Sequence, residues 1–342
     1  RQLFSAPRRP YYIDAPAYRR TSAGIRVLHL LCHALNSIGE EAYVYPTETH
    51  PALNTPLVTP ELIERHKAAG REPIVVYPEV VPGNPRKAAS VVRYVLNRAG
   101  LLGGDSVHAE TELIFGFGLN ALPDGADPQN ILFLPPIDTA IFNNRDNPDD
   151  HQRSGALLYP GRHQAALSQY PKLAAEATLI TYSWPESHEA LASLLRRSEV
   201  VYCFESTAIA AEAALCGCPA VILPSPFFNG VALSEAEIGR NGIALNDSPE
   251  EVAFARSSVG KMWDAYQAAE ARFWSQLDHF VATTQAMPVS DVSGQPAETP
   301  AAAEARLAAS TAPAAVVAEV LSLLDWDRGA GDFLETAAPS LR

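Results

Sequence analysis

The segment 205–219, with the sequence ESTAIAAEAALCGCP, holds the residues of this chain that are best suited to chemistry. It follows the apolar stretch 200–204 (VVYCF), so the pattern predicts a strand, a short polar turn and a helix. Ser206 and Thr207 are residue types that begin a helix, and Gly217 is the type that ends one. The amides at the start of such a helix carry a partial positive charge, which suits a diphosphate group.

Glu212 is the charged residue in the middle of this apolar helix. A carboxylate in such surroundings costs free energy unless a partner meets it. Glu212 lies five residues after Thr207, which is about 7–8 Å along the axis at 1.5 Å per residue. That length is close to the gap between the diphosphate and the ribose hydroxyls of a nucleotide. Two interpretations follow from the helix alone: Glu212 binds a ribose, or it is a buried glutamate that pairs with a neighbouring arginine.

Strand-like and helix-like segments alternate along the chain, which predicts βα units and parallel sheets of the α/β class. We expect strands at 11–14, 41–45, 73–80, 113–117, 131–134, 156–159, 179–182, 200–204 and 220–223. We expect helices at 22–38, 87–96, 187–196 and 259–280, with further helix starts at Thr59, Ser206 and Ser248.

The length of 342 residues predicts two domains rather than one. A polar, charge-dense linker at 143–153 is the expected hinge between them. We place the domains at 1–140 and 141–280 and assign 281–342 as a linker and helical tail. The tail begins with a stretch rich in Pro, Ser, Thr and Ala, a composition typical of linkers.

Composition argues against several classes of protein. A hydrophobic content of 47% with 19% charged residues supports sizeable buried cores, and a net charge of −13 argues against general nucleic-acid binding. No apolar run approaches the roughly 18–20 residues that cross a bilayer. The four cysteines form neither a metal-type pair nor a disulfide framework, which favours a reducing cytoplasm.

The charge is uneven, because the first 26 residues carry six arginines against one acid, Asp14. Two interpretations stay open for this basic segment. Either it is solvated, or it faces an anionic lipid headgroup or a phosphate-bearing acceptor. A lipid contact would place the protein at the inner face of a membrane as a peripheral protein.

The segment 205–222 resembles the donor-site helix of glycosyltransferases with the GT-B fold, particularly the family 4-like bacterial enzymes that build polysaccharides. Their pattern is "E…EA…CG.PV", and its second glutamate, in the position of Glu212, holds the donor ribose. Six residues rather than the usual seven lie between Glu205 and Glu212. The resemblance implies that Ser206 and Thr207 bind the diphosphate and that Glu205 contacts the donor sugar.

Two further segments carry the resemblance. Leu158-Tyr159-Pro160-Gly161-Arg162 is similar to the strand and Gly-Arg pair that open the C-terminal domain of these enzymes, in which the arginine neutralises donor phosphate. Pro136-Ile137-Asp138 with Phe142 resembles the "G-V-D…F" segment where the chain crosses between domains. A weaker similarity places Gly24 in the acceptor-side loop. The loop that begins at Tyr182 is expected to shape donor specificity.

The resemblance implies two Rossmann-like domains that face each other across a cleft, an acceptor domain followed by a donor domain. The reaction would transfer a hexose or related sugar from a nucleotide diphosphate to a saccharide or lipid-linked acceptor in bacterial surface polysaccharide synthesis. It would need neither a metal nor a cofactor, and Asp325-Trp326-Asp327 matches a metal motif by letter only. Arg19 and Arg20 would bind a phosphate on the acceptor.

An inverting enzyme of this kind also needs a base for the acceptor hydroxyl. Asp14 is the first candidate, because it ends the first expected strand, where open α/β sheets bind ligands. The alternative is a turn aspartate before Pro16. Two other functions stay open for the chain: a nucleotide-sugar 2-epimerase with the same fold, and a non-catalytic scaffold in a polysaccharide assembly complex.

Overall fold

The computed structural model describes residues 8–145, 147, 152–225, 228, 230–232 and 234–289. Ten strands in this part of the chain form two five-stranded sheets. The first sheet holds β1 (Tyr11–Ile13), β2 (Ala42–Val44), β3 (Ile74–Pro78), β4 (Val91–Val95) and β5 (Leu113–Gly116). The second holds β6 (Ala156–Tyr159), β7 (Thr178–Leu179), β8 (Val200–Cys203), β9 (Ala220–Ile222) and β10 (Ile243–Ala244).

The two sheets have the same strand order. The first runs β2-β1-β3-β4-β5, and the second, read in the matching direction, runs β7-β6-β8-β9-β10. The pairs β1–β2, β1–β3 and β3–β4 are parallel, as are all four neighbouring pairs of the second sheet. Each sheet therefore has a topological switch point, between β1 and β3 and between β6 and β8. The predicted α/β class with two Rossmann-like sheets is confirmed.

Eight α-helices accompany these strands in the described residues: α1 (Ala23–Ser37), α2 (Pro60–Ala68), α3 (Pro171–Glu176), α4 (His188–Arg197), α5 (Ala208–Leu215), α6 (Glu235–Ile238), α7 (Pro249–Ser258) and α8 (Met262–Gln285). The expected helix starts at Thr59 and Ser248 are confirmed, because each hydroxyl accepts a hydrogen bond from an amide three residues on. Helix α1 buries Ile25, Leu28 and Leu31 at helical spacing, as its pattern predicted.

The chain divides into two compact units. Among the described residues, the first unit comprises 8–18, 32–114 and 283–289, and the second comprises 19–31 and those between 115 and 282. The domain boundaries expected at residues 140 and 280 stay a prediction. The tail from residue 290 onward and part of the expected hinge at 143–153 lie outside the described residues.

Several predicted elements are wrong. The helix expected at 87–96 is a turn followed by strand β4, because Val91, Val92 and Val95 are β-branched and are buried within the sheet. The strand expected at 131–134 is reduced to one bridge between Ile131 and Gly116. The strand expected at 179–182 is instead the short β7.

The C-terminal helix extends beyond its predicted end. Helix α8 continues to Gln285, so the linker expected from residue 281 begins later than predicted. All four cysteines are buried and free. Within the described residues, no helix is both long and apolar enough to span a membrane.

Candidate functional site

Polar residues gather at the switch point of the second sheet. Strand β6 ends at Tyr159 and is followed by Gly161, Arg162 and His163, and strand β8 ends at Cys203 just before Glu205. Because these two strands are parallel neighbours, their carboxyl ends meet at one edge of the sheet. This edge is where open α/β sheets bind ligands.

Glu205 lies between two cationic residue types at this edge. Arg162 Nε donates a hydrogen bond to Glu205 Oε1 at 3.2 Å, and His163 Nε2 lies 3.3 Å from Glu205 Oε2. Burial raises the pKa of Glu205, but the neighbouring His163 and Arg162 side chains outweigh it, so the net pKa is lowered. Glu205 is therefore a carboxylate at neutral pH. It can accept a hydrogen bond from a hydroxyl of a ligand.

Gly161 permits this close contact. Its φ of +55° lies in the left-handed region that side chains with a Cβ rarely adopt. A Cβ at this position would lie 3.0 Å from Glu205 Oε1, tighter than ordinary contact. A larger residue would push the glutamate away from Arg162, so the glycine is required by the site rather than by the turn alone.

Helix α5 begins beside Glu205. Thr207 is its N-cap residue and has an extended backbone, but its side chain makes no capping hydrogen bond. The Thr207 hydroxyl therefore does not shield the first-turn amides, which leaves the positive end of the helix able to bind an anion. The residues that follow are mostly alanines and are buried, so the helix packs closely against the sheet. The site thus offers a guanidinium and a helix N-terminus at one sheet edge.

Glu212 is buried about one and a half turns further along α5. Only 2% of the residue is exposed, and Arg26 Nη2 of helix α1 donates a hydrogen bond to its Oε1 at 2.9 Å. Arg26 is 4% exposed, so both charges are withdrawn from water. This arrangement is the second of the two interpretations that the helix sequence left open. Arg26 binds one of the two carboxylate oxygens of Glu212, and the ribose contact stays a prediction.

Further polar groups adjoin this buried pair. Burial lowers the pKa of His188 at the start of α4, with Arg26 lowering it further. His188 Nε2 lies 3.1 Å from the carbonyl oxygen of Arg20, and the Arg20 guanidinium donates to the carbonyl of Pro185. Arg20 is therefore held at the start of α4.

Tyr182 and Gly24 are two further predicted site residues of the second unit. Tyr182 is partly exposed and meets Tyr159 edge to face, with ring centroids 6.3 Å apart. Burial, the dominant effect, raises the pKa of Tyr182, while the charges of Arg162 and, less strongly, Arg19 lower it. Gly24 is the second residue of α1 and makes no contact that assigns it a ligand role.

Asp14 belongs to the first unit and follows β1, as predicted. Its Oδ2 accepts a hydrogen bond from Arg86 Nε at 2.8 Å. Sequence reasoning did not identify Arg86, although its position shortly after β3 was a usable signal. It also missed His163, which adjoins the Gly-Arg pair. No spacing in the sequence connects Arg26 with Glu212, which are 186 residues apart.

The structure brings together Arg162, Glu205 and Thr207 at the edge of the second sheet. The charges of Arg162 and Glu205 shift the pKa of Tyr182, so this side chain lies near them. Asp14 and its partner Arg86 lie at the corresponding edge of the first sheet. Within the described part of the chain, no three His, Cys, Asp or Glu side chains are placed to hold a metal ion.

Comparisons with known proteins give structural similarities only. No protein-family model and no curated protein matches the chain. The glycosyltransferase SnogD from Streptomyces nogalater is similar at a TM-score of 0.45 and 15% identity, over 81% of this chain and 100% of that one. WaaG, a glycosyltransferase involved in lipopolysaccharide biosynthesis, is similar at a TM-score of 0.46 and 10% identity, over 81% of this chain and 100% of that one.

A UDP-GlcNAc 2-epimerase from Neisseria meningitidis bound to UDP-GlcNAc is similar at a TM-score of 0.36 and 10% identity, over 80% of this chain and 99% of that one. The first two are glycosyltransferases, the class that the sequence resemblance indicated. With TM-scores below 0.5, these similarities carry no argument about the activity of this chain.

Proposed function

We propose that this chain is a glycosyltransferase that moves a sugar from a nucleotide-diphosphate donor to a saccharide or lipid-linked acceptor. The observation that carries the proposal is that Arg162, which donates to Glu205, and the N-terminus of α5, where the Thr207 side chain makes no cap, follow neighbouring strands at the switch point of the second sheet. A guanidinium and a helix N-terminus both bind phosphate oxygens. A donor diphosphate fits this combination better than a neutral ligand does.

In the proposed reaction the leaving group is a nucleoside diphosphate, on which negative charge develops as the glycosidic bond breaks. Arg162 and the amides that follow Thr207 stabilise that charge without a metal ion. Ser206 contributes a further hydroxyl to the diphosphate. Glu205 accepts a hydrogen bond from a donor-sugar hydroxyl, and Tyr182 lies beside this contact. The lowered pKa of Glu205 keeps it ionised for this contact at neutral pH.

The acceptor side of the proposal rests on the first expected strand and on the basic N-terminal segment. Asp14 would take the proton from the acceptor hydroxyl, and Arg86 holds its carboxylate in one orientation. Arg19 and Arg20, with the loop at Gly24, would bind an acceptor phosphate. The same segment would bring the protein to the inner face of a bacterial membrane for surface polysaccharide synthesis.

Thermal-shift screening with UDP, GDP, dTDP, ADP and CMP tests the donor site directly. A ligand that binds only the native state stabilises it, by about 2.7 kcal/mol at one hundred times its Kd, so we expect one nucleotide to raise the Tm by about 5 °C or more. Arg162→Met should abolish most of that rise. Arg197→Met, which changes an exposed arginine of the same unit, should leave it intact. If none of the nucleotides raises the Tm, the proposal fails.

Product analysis separates the remaining functions. With the nucleotide sugar that the screen selects, a transferase releases nucleoside diphosphate faster when an acceptor is added. Formation of an isomerised sugar nucleotide from UDP-GlcNAc without an acceptor would assign a 2-epimerase instead. A protein that binds a nucleotide but forms neither product would be a scaffold, and Arg162→Met would then leave its biological role intact.

A further inference from the structure

The switch point of the first sheet carries a second polar arrangement that the donor site does not explain. Asp14 follows β1, Tyr45 follows β2, and the turn 84–88 follows β3. Arg86, in the middle of this turn, contacts both of the other elements. Because β1, β2 and β3 are parallel neighbours, all of these groups lie at the carboxyl edge of the sheet.

The Arg86 guanidinium is held in a fixed plane. Its carbon lies 3.3 Å from the centroid of the Tyr45 ring, and its Nε donates to Asp14 Oδ2 at 2.8 Å. Stacking on one face and an ion pair at Nε fix the orientation of the guanidinium. Among the described residues, none accepts a hydrogen bond from its two terminal nitrogens, and 39% of the side chain is exposed.

Four hydrogen bonds that involve side chains, and one from the Lys87 amide to the Asn84 carbonyl at 3.0 Å, define the turn that presents Arg86. Asn84 Nδ2 donates to the carbonyl of Ala88, and Asn84 Oδ1 accepts from the Ala88 amide, both at 2.9 Å. The Tyr77 hydroxyl donates to Asn84 Oδ1 and accepts from the Arg86 amide, both at 3.1 Å. Burial raises the pKa of Tyr77 to about 12, so its hydroxyl stays protonated. The turn is therefore rigid before any ligand arrives.

Two more features point to a ligand rather than to an ordinary surface turn. Lys87 has a φ of +51°, in the left-handed region that residues with a side chain adopt at a cost. The turn is also anchored from inside, because buried Arg93 donates to the carbonyl of Gly83 at 2.7 Å. Arg86 and Lys87 are consecutive in this turn, and both are exposed. With Asp14, the local charge of the three residues is +1.

We propose that the turn 84–88 is a binding site for a phosphate group, with the free edge of Arg86 as its bidentate donor and Lys87 as its second cation. A planar guanidinium with two unused donors matches two phosphate oxygens, and a rigid guanidinium loses little entropy when it binds. The phosphate belongs either to a phosphate ester, such as a phosphorylated substrate, or to free inorganic phosphate. This site is separate in sequence and strand position from the proposed donor site, but it includes Arg86 and Asp14, which the proposed function places on the acceptor side.

Isothermal titration with inorganic phosphate and with glycerol 3-phosphate tests the proposal in an Arg162→Met background, which removes the phosphate contact proposed for the second unit. Arg86→Met should weaken the binding of phosphate by about tenfold or more, because it removes two charge-assisted hydrogen bonds. Arg86→Lys should retain part of the affinity, and Arg98→Met, at an exposed arginine of the same unit, should retain all of it.

The relative affinity of the two probes identifies the source of the phosphate. Tighter binding of the ester indicates a phosphorylated substrate, and equal binding indicates free phosphate. Affinities that stay within twofold of the parent in folded Arg86→Met protein would overturn the proposal. The nucleotide-induced rise in Tm, measured in Arg86→Met alone, should persist, so failure of this site and failure of the donor site are distinguishable.

Discussion

The first and second sheets share one strand order but carry different structures at their switch points. In the second sheet, β8 leads directly into helix α5, whose N-terminus lies beside Arg162 and Glu205. In the first sheet, the described residues between β3 and β4 contain no helix, and the turn 84–88 presents Arg86 instead. One sheet therefore offers backbone amides with a guanidinium, and the other offers side chains alone. Topology determines where a ligand can bind, and the connection after the third strand determines which groups can bind it.

Each unit contains both a buried ion pair and a partly exposed one. Arg93–Glu112 in the first unit and Arg26–Glu212 in the second are almost fully buried. Arg86–Asp14 and Arg162–Glu205 retain exposed arginine side chains. Removing one partner of a buried pair leaves an uncompensated charge, whereas an exposed pair contributes little to stability. Buried pairs should therefore affect folding, and exposed pairs should affect ligands.

Arg93→Met should produce the largest loss. Arg93 makes two hydrogen bonds to Glu112 and donates to the carbonyls of Pro78, Val81 and Gly83. Its loss leaves a buried carboxylate and three carbonyls without that donor, so we expect the free energy of unfolding to fall by about 5 kcal/mol. Urea denaturation followed by circular dichroism measures this change. Arg98→Met, at an exposed site, should stay within about 0.5 kcal/mol.

The positions of the tryptophans allow unfolding of the second unit to be followed separately in this experiment. Trp184, Trp263 and Trp274 lie in the second unit, and the fourth, Trp326, lies outside the described residues. Trp fluorescence therefore reports mainly on the second unit, whereas circular dichroism reports on both. If Arg93→Met shifted both signals equally, the two units would unfold together and the division into units would not hold in solution.

Arg26→Met should cost about 3 kcal/mol, because Glu212 would lose its partner while it remains buried. The double variant Arg26→Met with Glu212→Met replaces the pair by apolar side chains and should recover most of that loss. Denaturation followed by Trp fluorescence measures both. A single variant as stable as the parent would show that the pair with Arg26 does not stabilise the fold.

Two glutamates should give pH dependences of opposite sign. Burial raises the pKa of Glu79 in the first unit to about 7, so its contribution to stability is full below pH 4.5 and is lost as the pH rises through about 7. The lowered pKa of Glu205 makes its contribution full above pH 4.5 and lost as the pH falls below that value. Tm profiles from pH 3 to 8 should show Glu79→Gln removing the first dependence and Glu205→Gln the second.

A smaller effect is expected at Gly161. Gly161→Ala places a Cβ at a positive φ and 3.0 Å from Glu205, whereas Gly155→Ala imposes the same backbone strain with no atom within 4 Å. Each should cost about 1 kcal/mol of stability through the backbone. Gly161→Ala should in addition weaken nucleotide binding severalfold in the thermal-shift assay. Equal nucleotide affinities for the two variants would show that Glu205 takes no part in nucleotide binding.

The elements that the sequence predicted correctly have local signals. A strand followed by cap residues and an alanine-rich helix is specified within 20 residues. The helices that start at Thr59 and Ser248 are each capped by a hydroxyl that accepts a hydrogen bond from the amide three residues later. The error at 87–96 has a physical cause as well. A run such as SVVRYV satisfies both helical and extended patterns, and burial on both faces selected the strand.

The amino-acid sequence by itself determined the α/β class, the parallel strands and the place of the Gly161–Arg162 and Ser206–Thr207 elements, since each depends on residues close together in the chain. Only the tertiary structure decided the partners of the charged residues. Arg26 meets Glu212 and Arg86 meets Asp14 across 186 and 72 positions. No local pattern encodes such pairs, because the energy of a buried charge depends on which distant side chain the fold brings beside it.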